Sequence, residues 1–456
     1  MKITRPAIAA VAAIAIAAGA VPAASHLTAA PLSEPQVSFP QNEFVPAVDE
    51  TAVDNLETAP TDAEPAPEAP APALEAPVAD ANAPEVPATG DPAQALEKIA
   101  EQVQQEQTAT AEELTNTPVK LAGTVAPTPT TLTEAPKAQN GEPQLWFNKI
   151  KADDVKKNWE AVSVYSPSME RDIPLAIRYA TDANGNRVTN APTVYLLNGA
   201  GGSEQNTDWI ARNFSNKAGT GVEDVFGKQG VNIVIPMEGA FSYYVNWLEE
   251  PKNNVFYKGK QNWATFLGEE LPGSVEPYLG ANDKRAIIGF SMSATSSLLI
   301  AEQYPDLYDA VGSFSGCAAT STPVPWFATQ LTLDRGGATP EQLWGPMGSD
   351  YNRYNDALVN AEKLRGKALY ISNGSGLGGE TDMSHAAGVA GAFTLQVEGG
   401  AIEALTNSCT HDLRAKLGSL GIPATFKFRN TGTHSWPYWR DDLRESWDTV
   451  IKEALL

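Results

Sequence analysis

The chain has 456 residues, 55 acidic against 32 basic, and a formal net charge of −23 at pH 7. The charge is uneven: residues 26–140 hold 17 of the 34 prolines with 19 acidic and three basic residues, so the remainder is only mildly acidic. With no basic patch anywhere, nucleic-acid binding is excluded as a function class.

Residues 1–25 read as a secretory signal. Lys2 and Arg5 give a basic start, residues 7–20 are an unbroken small-apolar run, and Val21-Pro22-Ala23 offers a cleavage site. The run is short for a spanning helix and no second apolar stretch matches it. No transmembrane anchor is therefore expected after signal cleavage; an uncleaved anchor is the alternative. The destination is a secreted or cell-envelope location, an oxidising space in which Cys317 and Cys409 can pair. Two separate thiols are the alternative there.

Residues 26–140 are Ala/Pro/Glu/Thr-rich and hold too little large apolar surface to offset the entropy of ordering. They read as an extended, disordered spacer. One island, residues 92–114, carries Ala95, Leu96, Ile99 and Val103 at helical spacing and reads as a short helix within the spacer, with a partner-binding segment as the alternative. Composition changes near Pro143, and Leu145, Trp146, Phe147 and Trp159 announce a core. Residues 141–456 are expected to form one domain.

Within that domain, strands are predicted at 161–165, 173–179, 193–197, 231–235, 286–290, 310–315, 368–372 and 424–428. Helical patterns separate most of them, which implies an α/β fold with a mostly parallel sheet covered on both faces. The strand at 286–290 runs at once into Ser291, and residues 292–303 have apolar positions at helical spacing up to Pro305. Strand, sharp turn with a serine at its tip, helix is how an α/β-hydrolase presents its nucleophile. Gly289 and Ser293 flank the serine; Ser293 stands where the G-x-S-x-G pattern has its second glycine. A serine that merely caps the following helix is the alternative.

A serine nucleophile needs a base. Four histidines exist, and His26 lies in the spacer. His434 follows the last predicted strand in the loop T-G-T-H-S-W-P-Y-W, the place for the base in the order Ser…acid…His. His411 sits in a helical run and reads as solvated; His385 lies in a Gly-rich loop and reads as a surface or substrate-loop residue. The generic place for the acid is the loop after the strand at 368–372, which offers Glu380 and Asp382, with Glu398 and Glu403 beyond. An oxyanion hole needs two backbone N–H groups. Met292, just after the serine, supplies one, and the run Asn198-Gly199-Ala200-Gly201-Gly202 is suited to supply the other. No Lys follows that run in a phosphate-loop pattern, and no metal-ligand spacing occurs. No metal and no cofactor are predicted.

These stretches resemble the mycolyltransferases of mycolic-acid bacteria, the antigen 85 proteins and the corynebacterial trehalose mycolyltransferases, over about residues 160–445. P-S-M-E-R-D-I (167–173), V-Y-L-L-N-G (194–199), N-W-A-T-F-L-G-E-E-L-P (262–272), G-F-S-M-S (289–293) and G-T-H-S-W-P-Y-W (432–439) carry the likeness. The resemblance implies an α/β-hydrolase fold with Ser291 as nucleophile and His434 as base. It shifts the acid to Glu403, in I-E-A-L-T, with Glu398 second. It places the oxyanion hole at the N–H groups of Met292 and Ala200. Substrate contacts are expected from Asn198, Gly199, Trp247, Ser435 and Trp436; Trp439 is a further candidate, and Trp263 reads as core. Two positions depart from the family: antigen 85 proteins have Asp and Arg near the sugar where this chain has Asn198 and Gly201. The Cys317/Cys409 pair and the spacer also fall outside the mycobacterial pattern.

The implied reaction moves a mycolyl group from trehalose monomycolate, through an acyl-serine, to a second trehalose monomycolate or to cell-wall arabinogalactan. A secreted carboxylesterase acting on acyl esters and a non-catalytic surface protein on the same scaffold are the alternatives. The sequence carries no indication of oligomeric state.

Overall fold

The computed structural model describes residues 126–152, 156–213, 221–252, 256–385 and 393–456. The signal sequence, most of the spacer and the amphipathic island lie outside the described residues.

Nine strands form one sheet in the order β1-β2-β3-β5-β4-β6-β7-β8-β9. They are β1 (Thr130–Thr131), β2 (Trp159–Ser166), β3 (Arg171–Arg178), β4 (Ala191–Leu197), β5 (Asn232–Pro236), β6 (Ala281–Phe290), β7 (Ala310–Phe314), β8 (Ala368–Asn373) and β9 (Thr425–Phe428). The first three strands pair antiparallel, and β3 meets β5 antiparallel. From β5 through β4 to β9 every neighbour is parallel. The eight predicted strands are all present, within a few residues at their ends.

The central strands are apolar at consecutive positions because both faces are covered. Along β4, Tyr195 and Leu197 face one buried cluster and Val194 and Leu196 the other. Along β6, Ile287 faces the first, and Ala286, Ile288 and Phe290 the second. Helix α1 (Met292–Gln303) covers the first face with Leu298, Leu299 and Ile300. Helix α2 (Gly400–Ser419) adds Leu413 and Leu417 to it. Helix α3 (Trp436–Ser446) covers the second face with Trp439 and Leu443.

The domain boundary expected at residue 140 is set too late. Thr130 and Thr131 pair with Ser163 and Val162, and Gln139 N–H donates to the Glu204 carbonyl at 2.8 Å. An edge strand of two threonines, inside a proline-rich stretch, has no apolar alternation to reveal it.

Chain connectivity reverses at β4. The chain leaves β4 for β5 on one side, and β6 lies on the other. In open parallel sheets such a switch point opens a crevice at the carboxyl ends of the strands. Leu197 and Gly289 are register partners at that end. The glycine-rich loop after β4 and the serine turn after β6 therefore emerge side by side.

Candidate active site

Ser291 sits at the tip of the turn between β6 and α1 with φ 57° and ψ −125°, a region a side-chain-bearing residue adopts only when held there. Its N–H donates to the Phe314 carbonyl at 2.8 Å, and its carbonyl accepts from Ala294 N–H at 3.1 Å. Gly289 has to be glycine, since a Cβ there would stand 2.0 Å from the Ser293 carbonyl oxygen. Ser293 is fully buried. Its hydroxyl accepts from Phe290 N–H and can donate to the Leu197 carbonyl, both at 3.0 Å. The serine that replaces a glycine thus ties the end of β4 to the turn after β6.

His434 lies in the loop between β9 and α3. Its Nε2 is 2.7 Å from Ser291 Oγ, and its Nδ1 is 2.8 Å from Glu403 Oε2. Glu403 projects from the first turn of α2 and is 1% exposed. Its second oxygen, Oε1, accepts from Gly374 N–H at 2.6 Å, Ser315 Oγ at 2.8 Å and Asn373 Nδ2 at 2.9 Å. These bonds compensate for burying a carboxylate and fix which oxygen faces the imidazole. Ser315 Oγ also accepts from Trp439 Nε1 at 3.1 Å, and the Trp439 ring meets His434 edge-on at 4.9 Å. Cys317, two residues beyond Ser315, is joined to Cys409 of α2 by a disulfide with S–S 2.01 Å. It fastens the Ser315 loop to the helix that carries Glu403.

Of the other carboxylates considered, Glu398 is exposed and Asp382 is turned elsewhere. Asp382 is buried and accepts from Thr433 Oγ1, Thr433 N–H, Ser435 Oγ, Tyr438 OH and Gly379 N–H. It braces both sides of His434 without touching the imidazole. Burial pushes its carboxyl up, but the bonds from Thr433, Gly379, Tyr438 and Ser435 outweigh that and hold it below the ordinary value. A carboxyl depressed in the fold contributes stability above its unfolded value of about 3.9 and loses it as pH falls through the folded value. Asp382→Asn sets its NH₂ against either the Gly379 N–H or the Thr433 N–H, which donate to different oxygens and cannot reverse, and is expected to slow turnover about tenfold by loosening the His434 loop. Its stability deficit against the parent, read from urea midpoints, is expected to hold above pH ~5 and to close as the pH drops below ~4.

Ser291 and His434 open into a cleft of about 550 Å³. Phe290, Leu395, Trp436, Pro437 and Trp439 give it apolar walls, and Gln205, Thr207, Arg335 and Arg440 supply polar groups. Gly199, Ala200 and Ser435 line it as well. Ala200 lines the cleft with Ser291, and Met292 follows the serine as the first residue of α1. The N–H of neither donates a turn or loop hydrogen bond to backbone among the described residues.

Two expected substrate contacts are corrected. Asn198 is fully buried; its amide donates to the Pro236 carbonyl at 2.8 Å and accepts from Trp209 N–H at 3.1 Å, so it splices β4 to β5 and does not line the cleft. Trp247 is packed in the core against Tyr257, with Nε1 donating to the Ser242 carbonyl at 3.0 Å. Trp263 is core, as read from the sequence. His411 is exposed and stacks on Phe428 at 4.1 Å, and His385 closes the helix Glu380–His385. The roles of Ser315, Asn373 and Asp382 around the imidazole were missed. Asn373, a polar residue ending an apolar strand, is the one with a sequence signal.

Comparison with known proteins agrees with this architecture. The esterase family model matches residues 166–448. The chain is 29% identical over 300 residues to diacylglycerol acyltransferase/mycolyltransferase Ag85C of Mycobacterium leprae, covering 62% of this chain and 78% of the relative. It is 29% identical over 298 residues to the Ag85B protein of Mycolicibacterium smegmatis, covering 62% and 82%. Among solved structures it superposes on MPT51 (FbpC1) of Mycobacterium tuberculosis with a TM-score of 0.50 at 23% identity, over 65% of this chain and 99% of that one. With its parallel sheet, its serine turn at the switch point and this match over most of the described residues, the chain belongs to the esterase family of α/β-hydrolases, where it is similar to the antigen 85 mycolyltransferases.

Proposed function

We propose that the protein is a secreted acyltransferase that takes a mycolyl group from trehalose monomycolate onto Ser291 and passes it to a hydroxyl of a second trehalose monomycolate or of arabinogalactan. The observation that carries this reading is the unbroken chain Ser291 Oγ, His434 Nε2, His434 Nδ1, Glu403 Oε2, with links of 2.7 and 2.8 Å, opening into an aromatic-walled cleft. His434 Nε2 takes the Ser291 hydroxyl proton as Oγ attacks the ester carbonyl. The oxyanion that forms is held by the N–H groups of Ala200 and Met292. His434 then gives the proton to the departing trehalose oxygen, leaving an acyl-serine. In the second half His434 deprotonates the acceptor hydroxyl, which attacks the acyl-serine and frees Ser291. Glu403 keeps the imidazole oriented and stabilises its cationic form throughout.

In this reading residues 1–25 direct export and the proline-rich stretch from residue 26 is a spacer ahead of the catalytic domain. Among the described residues no helix is long and apolar enough to cross a membrane. Transfer and hydrolysis use the same three residues and differ in which hydroxyl reaches the acyl-serine. The apolar walls of Trp436, Trp439, Phe290 and Leu395 favour an acyl chain over water beside the ester. Incubation with trehalose monomycolate is expected to yield trehalose dimycolate and free trehalose. Release of free mycolic acid alone would identify an esterase instead, and no turnover at all would leave only a binding role.

A further inference from the structure

The two loops that carry Ala200 and Met292 are both held by a single turn, residues 239–244. Phe241 N–H donates to the Ala200 carbonyl at 2.8 Å. Tyr243 N–H is 3.4 Å from Met292 Sδ, and Ser296 Oγ, one turn along α1, donates to the Tyr243 carbonyl at 2.6 Å. The turn runs against its own backbone preference: Phe241, Tyr243 and Tyr244 have φ of 57°, 54° and 49°. Bulky residues rarely enter the left-handed region, and three within four positions persist only where the surroundings over-determine them.

Glu204 is the buried side chain that fastens the start of this turn. Its Oε1 accepts from Gly239 N–H at 2.8 Å and from Ala240 N–H at 3.1 Å. It stands just beyond the 199–202 loop, and Gly202, at φ +54°, lets the chain double back over it; a Cβ there would lie 2.6 Å from Glu204 Oε2. Glu204 is 4% exposed, and its Oε2 has no hydrogen-bond partner among the described residues. Burial first, then the neighbouring Glu238 charge, pushes its carboxyl up to about 7. A half-partnered carboxyl in the interior is a costly way to fill space. What it does make is the pair of bonds that sets the turn. Ser242 closes the far side, its hydroxyl donating to the Gly239 carbonyl at 2.7 Å and accepting from Tyr244 N–H at 3.1 Å.

We propose that Glu204 is a positioning residue for the oxyanion hole: through Gly239 and Ala240 it fixes the turn that aims the Ala200 and Met292 N–H groups at the reacting oxygen. The proposal rests on the reading of those two N–H groups as the hole. Hydrogen bonds to a developing oxyanion depend steeply on placement, whereas a neutral ester carbonyl is held more loosely. Loosening the turn therefore slows acylation while leaving substrate affinity nearly unchanged.

The test uses the full chain and a p-nitrophenyl alkylphosphonate. Ser291 Oγ forms a bond to phosphorus, the bond to the nitrophenolate oxygen breaks, and the Oγ proton leaves through His434. The burst amplitude counts folded sites, and its rate constant reads stabilisation of charge on the phosphoryl oxygen. Glu204→Ala is expected to keep full amplitude with a rate constant about 10–100-fold lower, and to lose the same factor in kcat on p-nitrophenyl butyrate with KM within about twofold. Glu204→Gln keeps an oxygen acceptor for both N–H groups and is expected to recover to within about fivefold of the parent. Reduced amplitude with an unchanged rate constant in Glu204→Ala would overturn the proposal, because it marks structural support alone; so would two unchanged parameters. If Glu204→Ala fails to fold, Ser242→Ala, which loosens the turn from its other side, decides instead: a parental rate constant there sinks the proposal and a reduced one upholds it. Ser291→Ala separates the two levels: a burst that survives it removes the underlying reading of Ser291, whereas its loss beside full-rate Glu204 variants removes only the positioning role.

Discussion

Ser291→Ala is expected to lower turnover of an activated ester by about 10⁵–10⁶-fold while leaving the fold intact. The expectation follows from what the substitution removes and what it keeps. Alanine retains the Cβ and inherits the same φ of 57°, so the strained turn is neither relieved nor worsened. The bonds that hold it, Ser291 N–H to Phe314 and the Ser293 hydroxyl to both Phe290 and Leu197, do not involve Ser291 Oγ. Only the hydroxyl 2.7 Å from His434 Nε2 is lost. Residual rate enhancement from the oxyanion hole and from binding is expected to persist, about 10³–10⁴-fold over water. The measurement is kcat/KM on p-nitrophenyl butyrate beside the circular dichroism of both proteins. A variant with parental spectra and parental turnover would show that acyl transfer does not run through Ser291.

Much of this site is legible in the sequence because its geometry is local. The serine turn is five consecutive residues between an apolar run and a helical pattern, and both flanks are visible without knowing what they pack on. His434 is marked by the loop that follows the last strand and by its aromatic neighbours. Glu403 is different. It projects from a helix rather than from the end of a strand, so position in the chain favours Asp382 and Glu380, and only the likeness of I-E-A-L-T to a family stretch points to α2. The reason is physical: the imidazole is met by whichever carboxylate the tertiary packing turns inward, and the Ser315 loop, Asn373 and Gly374 that turn Glu403 inward come from two other strand ends. Asp382, the positional choice, is close to the loop but is occupied by Thr433, Ser435 and Tyr438.

The same logic explains the fold-level misses. β6 starts at Ala281, but Asn282-Asp283-Lys284-Arg285 lie at the solvent end of the strand and look like a loop. Asn198 and Trp247 sit in stretches rich in site-like residues, yet their polar atoms bond to Pro236, Trp209 and Ser242 inside the core. A polar or aromatic residue near a motif announces chemistry and packing alike. Only the partner of its polar atom separates the two.

Glu403→Gln is expected to cost about 10⁴-fold in kcat, and the hydrogen bonds around it say why the loss should be so large for a near-isosteric change. Gly374 N–H and the Asn373 amide N–H donate to Glu403 Oε1 and cannot accept. A glutamine must therefore keep its carbonyl oxygen on that side, which turns its NH₂ toward His434 Nδ1. Nδ1 then has to accept, the ring proton moves to Nε2, and Nε2 presents a donor to Ser291 Oγ where a base is required. The opposite amide orientation would restore the imidazole but set NH₂ against two N–H groups at 2.6 and 2.9 Å, a buried clash on the order of the 1–3 kcal/mol that each unmade bond costs. The expected variant is folded, binds ester with nearly unchanged KM, and regains part of its rate as rising pH supplies hydroxide in place of the lost base. Glu398→Gln, on an exposed side chain, should be silent by the same assay. A reversed ranking, with Glu398→Gln inactive and Glu403→Gln active, would show that the imidazole is oriented by something other than α2.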